Sequence, residues 1–293
     1  MKILYTPYYM DTFDYQFSII DTETLKIKNY GHKVKTNKNK FHALPEHHGF
    51  SRSFGASWSQ DNLFVANRTN LIKFDKNLKQ LNYYDIYHGN PHQILEINGK
   101  IYGTDTNINC INVFDIQSEK VERQFDPVKQ EDVKINGSVH YREKDKNHIN
   151  SLHYDGNFLY ILLHNWGTSE YLKTDLNLNI IARKKLRAEW AHCVYLDNGL
   201  VSTLDTGSSH YIVREDNSCV RIKTFEKDFI RGYAANKDFH IVGATNRENM
   251  KARLIFINKK TLEQTQLDLD CKDFAELRLI GEFDYSHNKE RFL

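Results

Sequence analysis

Short runs of apolar and β-branched residues recur along the chain in a fixed order, broken by Gly, Asp and Asn turns. Each copy opens with a short strand that ends in a turn. It then passes through a strongly apolar strand and an alternating one, and closes on a polar strand. One copy reads Pro91–Gly99, Ile101–Asp105, Ile111–Asp115 and Lys120–Phe125. The next reads His148–Gly156, Phe158–His164, Tyr171–Asp175 and Asn179–Leu186. A third reads Ala191–Gly199, Leu200–Asp205, Tyr211–Arg214 and Cys219–Phe225. A fourth starts at Phe229–Gly232 and runs through Phe239–Ala244, Leu254–Asn258 and Gln264–Leu269, and an earlier one covers Ser53–Leu81. Four short strands repeating every ~40–45 residues are the pattern of β-propeller blades. The runs are too short and too rich in β-branched and aromatic residues for helices, and a β-sandwich is the alternative all-β arrangement.

The two ends predict how the ring closes. Phe274–Gly281 has the pattern of an inner strand with no blade after it, while Ile3–Thr6, Phe17–Asp21 and Thr24–Tyr30 look like strands two to four lacking a first. Joined, they make a sixth blade of one C-terminal and three N-terminal strands, which removes exposed sheet edges. The expected fold is therefore an all-β, six-bladed β-propeller occupying 1–293 as one domain. Its blades are expected near 48–82, 91–126, 148–187, 191–226 and 229–270, with 274–281 joined to 2–30. Two connections, Gly31–Arg52 and Asp126–Asn147, are much longer than the rest, and loops of that length are usually functional or disordered. Within the second, Lys134–Tyr141 reads as a hairpin that would fold over the channel as a lid.

Composition narrows the partners. Lys and Arg number 40 against 38 Asp and Glu, a formal charge of +2, which gives no reason to expect nucleic acid or an anionic membrane. No apolar run approaches the ~20 residues of a membrane span. The N-terminus turns polar too early for a signal peptide, so the cytoplasm is the expected location. The cysteines Cys110, Cys193, Cys219 and Cys271 are scattered, which argues for reduced thiols rather than a zinc or thioredoxin motif. Walker, dinucleotide and serine-elbow motifs are absent.

Candidate chemistry follows from the blade geometry. Strands in a blade are antiparallel, so the start of every inner strand and the end of every second strand share one face of the disc. Counting back from the terminal turn puts His92, His148, His192 and Arg231 at one position in four successive blades. The second strands end in polar clusters on the same face: Asn67-Arg68, Asp105-Thr106-Asn107, His164-Asn165-Trp166, Asp205-Thr206 and Thr245-Asn246-Arg247. The opposite face carries plain turns such as Asn98-Gly99 and Asn198-Gly199. Three imidazoles on separate strands, His92, His148 and His192, can hold a divalent metal ion, with His48 as a fourth ligand from the first long connection. Arg231 would fix a carboxylate or phosphate. Arg68, Asn150, His164, Asn165, Trp166, Asn246 and Arg247 would line the substrate, and Glu276, Asp105 or Asp205 would serve as general base. The competing explanation is that a histidine repeated at one position satisfies the same backbone group in each blade. Trp166 and Trp190 sit beside the proposed site, and Trp166 could stack on a sugar ring, whereas Trp58 reads as core and His153 as a packed or solvent residue.

The segments Ala191–Gly207, Phe229–Tyr233 and His148–Leu152 resemble blade starts in a poorly characterised group of bacterial propeller proteins. That resemblance implies the propeller and gives weight to the His and Arg positions. More loosely, the chain is similar to propeller lyases and lactonases, which place metal-binding residues at the channel mouth. It departs from lactonases by offering histidines where they use mainly carboxylates and amides. Three readings follow. The first is a metal-dependent hydrolase, lyase or isomerase acting on a small anionic or sugar-like molecule. The second is a non-catalytic module that binds a glycan, peptide or protein, and the third is a scaffold.

Overall fold

The computed structural model describes residues 1–7, 15–31, 53–88, 90–133, 145–207, 210–225, 227–246, 248–249, 251–269, 274–286 and the backbone of 289–290. They form a six-bladed β-propeller. Blade 6 takes β1 (Lys2–Thr6), β2 (Phe17–Asp21) and β3 (Ile27–Tyr30). Blade 1 holds β4 (Ser53–Ser59), β5 (Asn62–Asn67), β6 (Asn70–Phe74) and β7 (Gln80–Asp85). Blade 2 holds β8 (Ile94–Ile97), β9 (Lys100–Asp105), β10 (Cys110–Asp115), β11 (Lys120–Asp126) and a short outer β12 (Glu131–Asp132). Blade 3 holds β13 (Ile149–Tyr154), β14 (Leu159–Leu163), β15 (Thr168–Thr174) and β16 (Ile180–Glu189). Blade 4 holds β17 (His192–Asp197), β18 (Leu200–Asp205), β19 (Tyr211–Arg214) and β20 (Cys219–Arg221). Blade 5 holds β21 (Asp228–Ala235), β22 (Phe239–Asn246), β23 (Lys251–Asn258) and β24 (Gln264–Leu269). The ring closes where β25 (Glu276–Ile280) pairs antiparallel with β1, in the order β25-β1-β2-β3. A small hairpin of β26 (Phe283–Asp284) and β27 (Lys289–Glu290) follows.

The wholly buried second strands explain the packing. Leu63–Ala66 and Leu159–Leu163 are covered because each sheet is sandwiched between two others. The apolar core therefore lies between blades. Leu95, Ile111, Ile149 and Ile161 join blades 2 and 3, and Phe64, Tyr87, Ile94 and Ile101 join blades 1 and 2. At the closing seam Ile3, Tyr5, Leu277 and Leu279 pack with blade 5, and the Tyr5 and Phe274 rings meet edge to face at 5.4 Å. Burying the Phe274 side chain alone is worth roughly 2–3 kcal/mol of transfer free energy. Neighbouring blades are tied near the hub by short side chains rather than by a ladder. Thr6 Oγ1 donates to Phe54 O (2.8 Å), Ser57 Oγ accepts from Glu96 N (2.8 Å), and Ser151 Oγ accepts from Val194 N (2.6 Å).

The hub is plugged at one end. β26 lies under it, where Asp284 accepts from Leu279 N and Ala235 N, and Tyr285 N donates to Ala235 O. His153, buried, donates from Nδ1 to Ser286 O at 2.9 Å. The pattern of the chain gives no sign of this hairpin. The expected lid Lys134–Tyr141 and nearly all of Gly31–Arg52 lie outside the described residues. No helix among the described residues is long and apolar enough to cross a membrane.

Candidate functional site

Four of the inner strands carry a bulge near the hub. Pairing shifts register between Ser53 and Ala56 in β4, Ile149 and Ser151 in β13, His192 and Tyr195 in β17, and Ile230 and Tyr233 in β21. A bulge inserts unpaired backbone and re-aims a side chain. Here the inserted stretches bring Asn150, Cys193 and Arg231 to the axis, where they meet Gln93 and Glu276 around a small chamber with only about 10 Å³ of free space. That is room for about one water molecule. Blade 1 contributes Gly55, where a Cβ would stand 2.6 Å from Ile94 N.

Burial dominates the chemistry of this chamber. Glu276 pairs with Arg278 and approaches Gln93, yet burial pushes its carboxyl up to about 7. Burial, then the Glu276 charge, drives the Cys193 thiol up to about 12, so it is not a ready nucleophile. Asn150 Nδ2 donates to Ala191 O (2.7 Å), and its buried Oδ1 has no partner among the described residues.

Above the chamber a chain of rings crosses the hub. Centroids lie 5.6 Å apart for Phe54–His92, 4.8 Å for His92–His148, 4.7 Å for His148–His164, 5.5 Å for His164–His192 and 5.5 Å for His192–Phe229. Phe229, not Arg231, therefore takes the place in blade 5 that the histidines take elsewhere. The turn between β21 and β22 is longer than the Asn-Gly turns of blades 2 and 4, so counting back from it lands on the wrong residue.

The tautomers of these histidines follow from their partners. His92 Nδ1 faces Asn90 O and His192 Nδ1 faces Trp190 O, each at 2.9 Å. A carbonyl only accepts, so both Nδ1 atoms carry hydrogen and both Nε2 atoms carry lone pairs. The pattern extends to Thr106 and Thr206, each with Oγ1 3.0 Å from the same Nδ1. His148 Nδ1 faces the Asp145 carboxylate at 2.8 Å, with the same consequence. His164 is reversed: its Nδ1 accepts from Trp166 N (3.1 Å), which leaves the proton on Nε2. Burial, then the Arg231 charge, holds His92 and His192 well below the usual imidazole range. Burial, then His148 and Arg231, takes His164 down to about 3.

Two indoles flank His164. The Trp166 ring lies 5.3 Å from it and the Trp190 ring 6.1 Å from it, stacked at 20°. Both are half exposed, at 51% and 47%. Both also sit in the left-handed region, with φ of 54° and 50°. A bulky residue held there costs on the order of 1–3 kcal/mol, and such strain clusters at functional sites. Trp166 is further pinned by its Nε1, which donates to Asp145 O at 3.1 Å. A cleft of about 500 Å³ lies between blades 3 and 4, lined by Leu186, Ala188, Glu189, Asp205 and Val213, of which Glu189 directly precedes Trp190 in the chain.

The other expected site residues are engaged differently. Asp105 accepts from His88 N (2.7 Å) and Asn112 Nδ2 (3.2 Å), and Asp205 accepts from Glu189 N (3.0 Å). These carboxylates pin the loops entering the inner strands. Asn246 accepts from Glu248 N and Asn249 N in a turn, and Asn165 Oδ1 accepts from Asn147 Nδ2 (2.9 Å). Arg68 is buried at the end of β5. His48 and Arg247 lie outside the described residues. No group of three or more His, Cys, Asp or Glu side chains among the described residues is arranged to hold a metal ion. Trp58 is in the core, as its strand position implies. Asp145 and Trp190 complete the site. Asp145 carries little sequence signal because it sits inside a long connection with no repeat to align it.

The fold and hub place the chain among the β-propeller proteins. No protein-family model and no curated protein matches the sequence. Among solved structures, a chain of a nidogen/laminin complex matches with a TM-score of 0.62 and 9% identity, covering 94% of this chain and 97% of that one. A Lactobacillus plantarum protein matches with a TM-score of 0.56 and 13% identity, covering 94% and 98%. A protein from Bacteroides fragilis described as a putative 6-phosphogluconolactonase matches with a TM-score of 0.51 and 12% identity, covering 94% and 97%. At these identities the likeness concerns the fold, and function must be argued from the site.

Proposed function

We propose that the protein binds a small sugar-like or anionic molecule at the axial mouth, stacked on Trp166 and Trp190 above the imidazoles. The carrying observation is the pair of half-exposed indoles held in left-handed backbone on either side of His164. Core packing does not call for strained backbone that displays tryptophan to solvent, whereas stacking on a sugar ring does. Below them Arg231 supplies a buried positive charge that reaches His92, His164 and His192. A protein-borne cation at the hub matches an anionic ligand better than a divalent metal ion, and elemental analysis of untagged protein discriminates the two. The 500 Å³ cleft between blades 3 and 4, whose lining reaches Glu189 next to Trp190 in the chain, would give a larger ligand room to extend. The description of one neighbour as a putative 6-phosphogluconolactonase is compatible with this reading.

The test is a calorimetric titration with a panel of monosaccharides, sugar acids and sugar phosphates. Saturable binding is expected, weakened roughly 2- to 10-fold by Trp166→Ala or Trp190→Ala, the range of an aromatic contact of ~0.5–1.5 kcal/mol. Wild-type affinity in both variants would refute the platform.

A further inference from the structure

We infer that His148 and His164 act together as the base and the acid of a proton transfer on a sugar-like carbonyl compound held against Trp166 and Trp190. The inference rests on the binding proposed above and adds an activity to it.

The carrying observation is a pair of neighbouring imidazoles locked in opposite tautomers. His148 donates Nδ1–H to the Asp145 carboxylate at 2.8 Å, which leaves a lone pair on Nε2. His164 accepts the Trp166 backbone N–H on Nδ1, which leaves a proton on Nε2. Their rings are 4.7 Å apart, and Trp166 touches both. His148 differs from His92 and His192, whose Nδ1 partners are neutral carbonyls. A carboxylate behind an imidazole stabilises the imidazolium that forms when the ring takes a proton. Asp145 has the burial for that role, with a side chain 2% exposed and Oδ1 without a partner among the described residues.

The hub offers little for nucleophilic catalysis. The Cys193 thiol is raised, Ser151 is occupied by Val194 N, and Glu276 is paired with Arg278. Proton transfer needs none of them. His148 Nε2 removes the hydrogen from the carbon beside the carbonyl, and the C–H electron pair becomes the C=C bond of an enediol. The carbonyl π pair moves to oxygen, which takes the proton from His164 Nε2. His148 then returns its proton to the former carbonyl carbon, while the hydroxyl on the carbon that first lost its hydrogen gives its proton to His164 Nε2 and becomes the new carbonyl, which yields the isomeric compound and restores both rings. Atoms and electrons balance without a co-reactant. The Arg231 charge, felt at His164, opposes protonation of that ring and favours negative charge developing on the ligand. Asp145 acts through His148 and is a positioning residue.

The test uses the full chain in D₂O with a panel of aldoses, ketoses and 2-oxo sugar acids, followed by proton NMR. A panel member that quenches tryptophan fluorescence is expected to lose the resonance of the C–H beside its carbonyl. Asp145→Asn and His148→Gln are expected to slow that loss by about 100-fold or more, the scale of general-base catalysis, with quenching affinity unchanged in Asp145→Asn. Long-range ¹⁵N–¹H correlation on the unliganded protein should show His148 protonated at Nδ1 and His164 at Nε2, a readout that a purely structural Asp145 would not share with the kinetics. A quencher that shows no exchange, exchange indifferent to Asp145→Asn, or like tautomers at the two rings overturns the acid–base assignment and leaves the binding platform standing. If no panel member quenches, the binding reading fails and takes this one with it.

Discussion

Replacing Glu276 with Gln should remove a pH-dependent loss of stability confined to a window between about pH 4.5 and 7. The carboxyl titrates near 4.5 in the unfolded chain and is pushed up to about 7 in the folded one, chiefly by burial. Inside that window the native state keeps a proton that the unfolded state has released. Stability therefore falls as pH rises through it, in the opposite sense to a carboxylate whose folded value is depressed. At about 1.4 kcal/mol per unit, the loss is on the order of 3 kcal/mol by about pH 8. The buried histidines act in reverse. His153 and His240 are lowered to about 4 and His164 to about 3, so their contribution is present above 6.5 and lost on acidification toward those values. The raw profile mixes both signs, and the difference between wild type and Glu276→Gln isolates the carboxyl. Urea unfolding at intervals from about pH 4.5 to about pH 8 measures it, and the variant should gain on wild type by about 3 kcal/mol across the window. A difference independent of pH would refute the reasoning.

Other consequences of the hub and seam are equally testable. Phe274→Ala should cost about 3–5 kcal/mol, seen as a lower urea midpoint with unchanged slope, because the ring is fully buried at the closing blade. Gly55→Ala should cost roughly 1–3 kcal/mol in the same assay, since its Cβ would press on backbone of blade 2 rather than on a side chain that could turn away. Arg231→Met should raise the NMR titration midpoints of His92 and His192, while leaving them below the usual imidazole range because burial remains.

Much of the architecture was legible because a propeller writes its repeat into the sequence. Leu159–Leu163 and Leu63–Ala66 are apolar throughout, which strands buried on both faces require. The unpaired strand patterns at the two ends left β25 and β1 as natural partners. The site was legible only to the level of strand ends. His92, His148, His164, Trp166, His192 and the chamber residues Asn150, Arg231 and Glu276 do meet at the hub. Their layering was hidden, because the bulges and one residue of turn length shift the frame, and neither leaves a compositional mark. Phe54 and Phe229 therefore enter the ring chain without a sequence signal. Asp105 and Asp205 read as bases, although a carboxylate at a strand end serves equally well to bind loop N–H groups, as it does here. Asp145 gives no signal beyond its spacing of three residues from His148.

The proposal that the mouth is a binding platform is tested most directly by ¹⁹F NMR of protein labelled with 5-fluorotryptophan. The chain has three tryptophans, of which Trp166 and Trp190 are half exposed at the mouth and Trp58 is 6% exposed in the core. Titration with the tightest sugar-like or anionic ligand should shift the Trp166 and Trp190 resonances together and leave Trp58 in place. A saturable ligand that moves neither mouth resonance would contradict the platform.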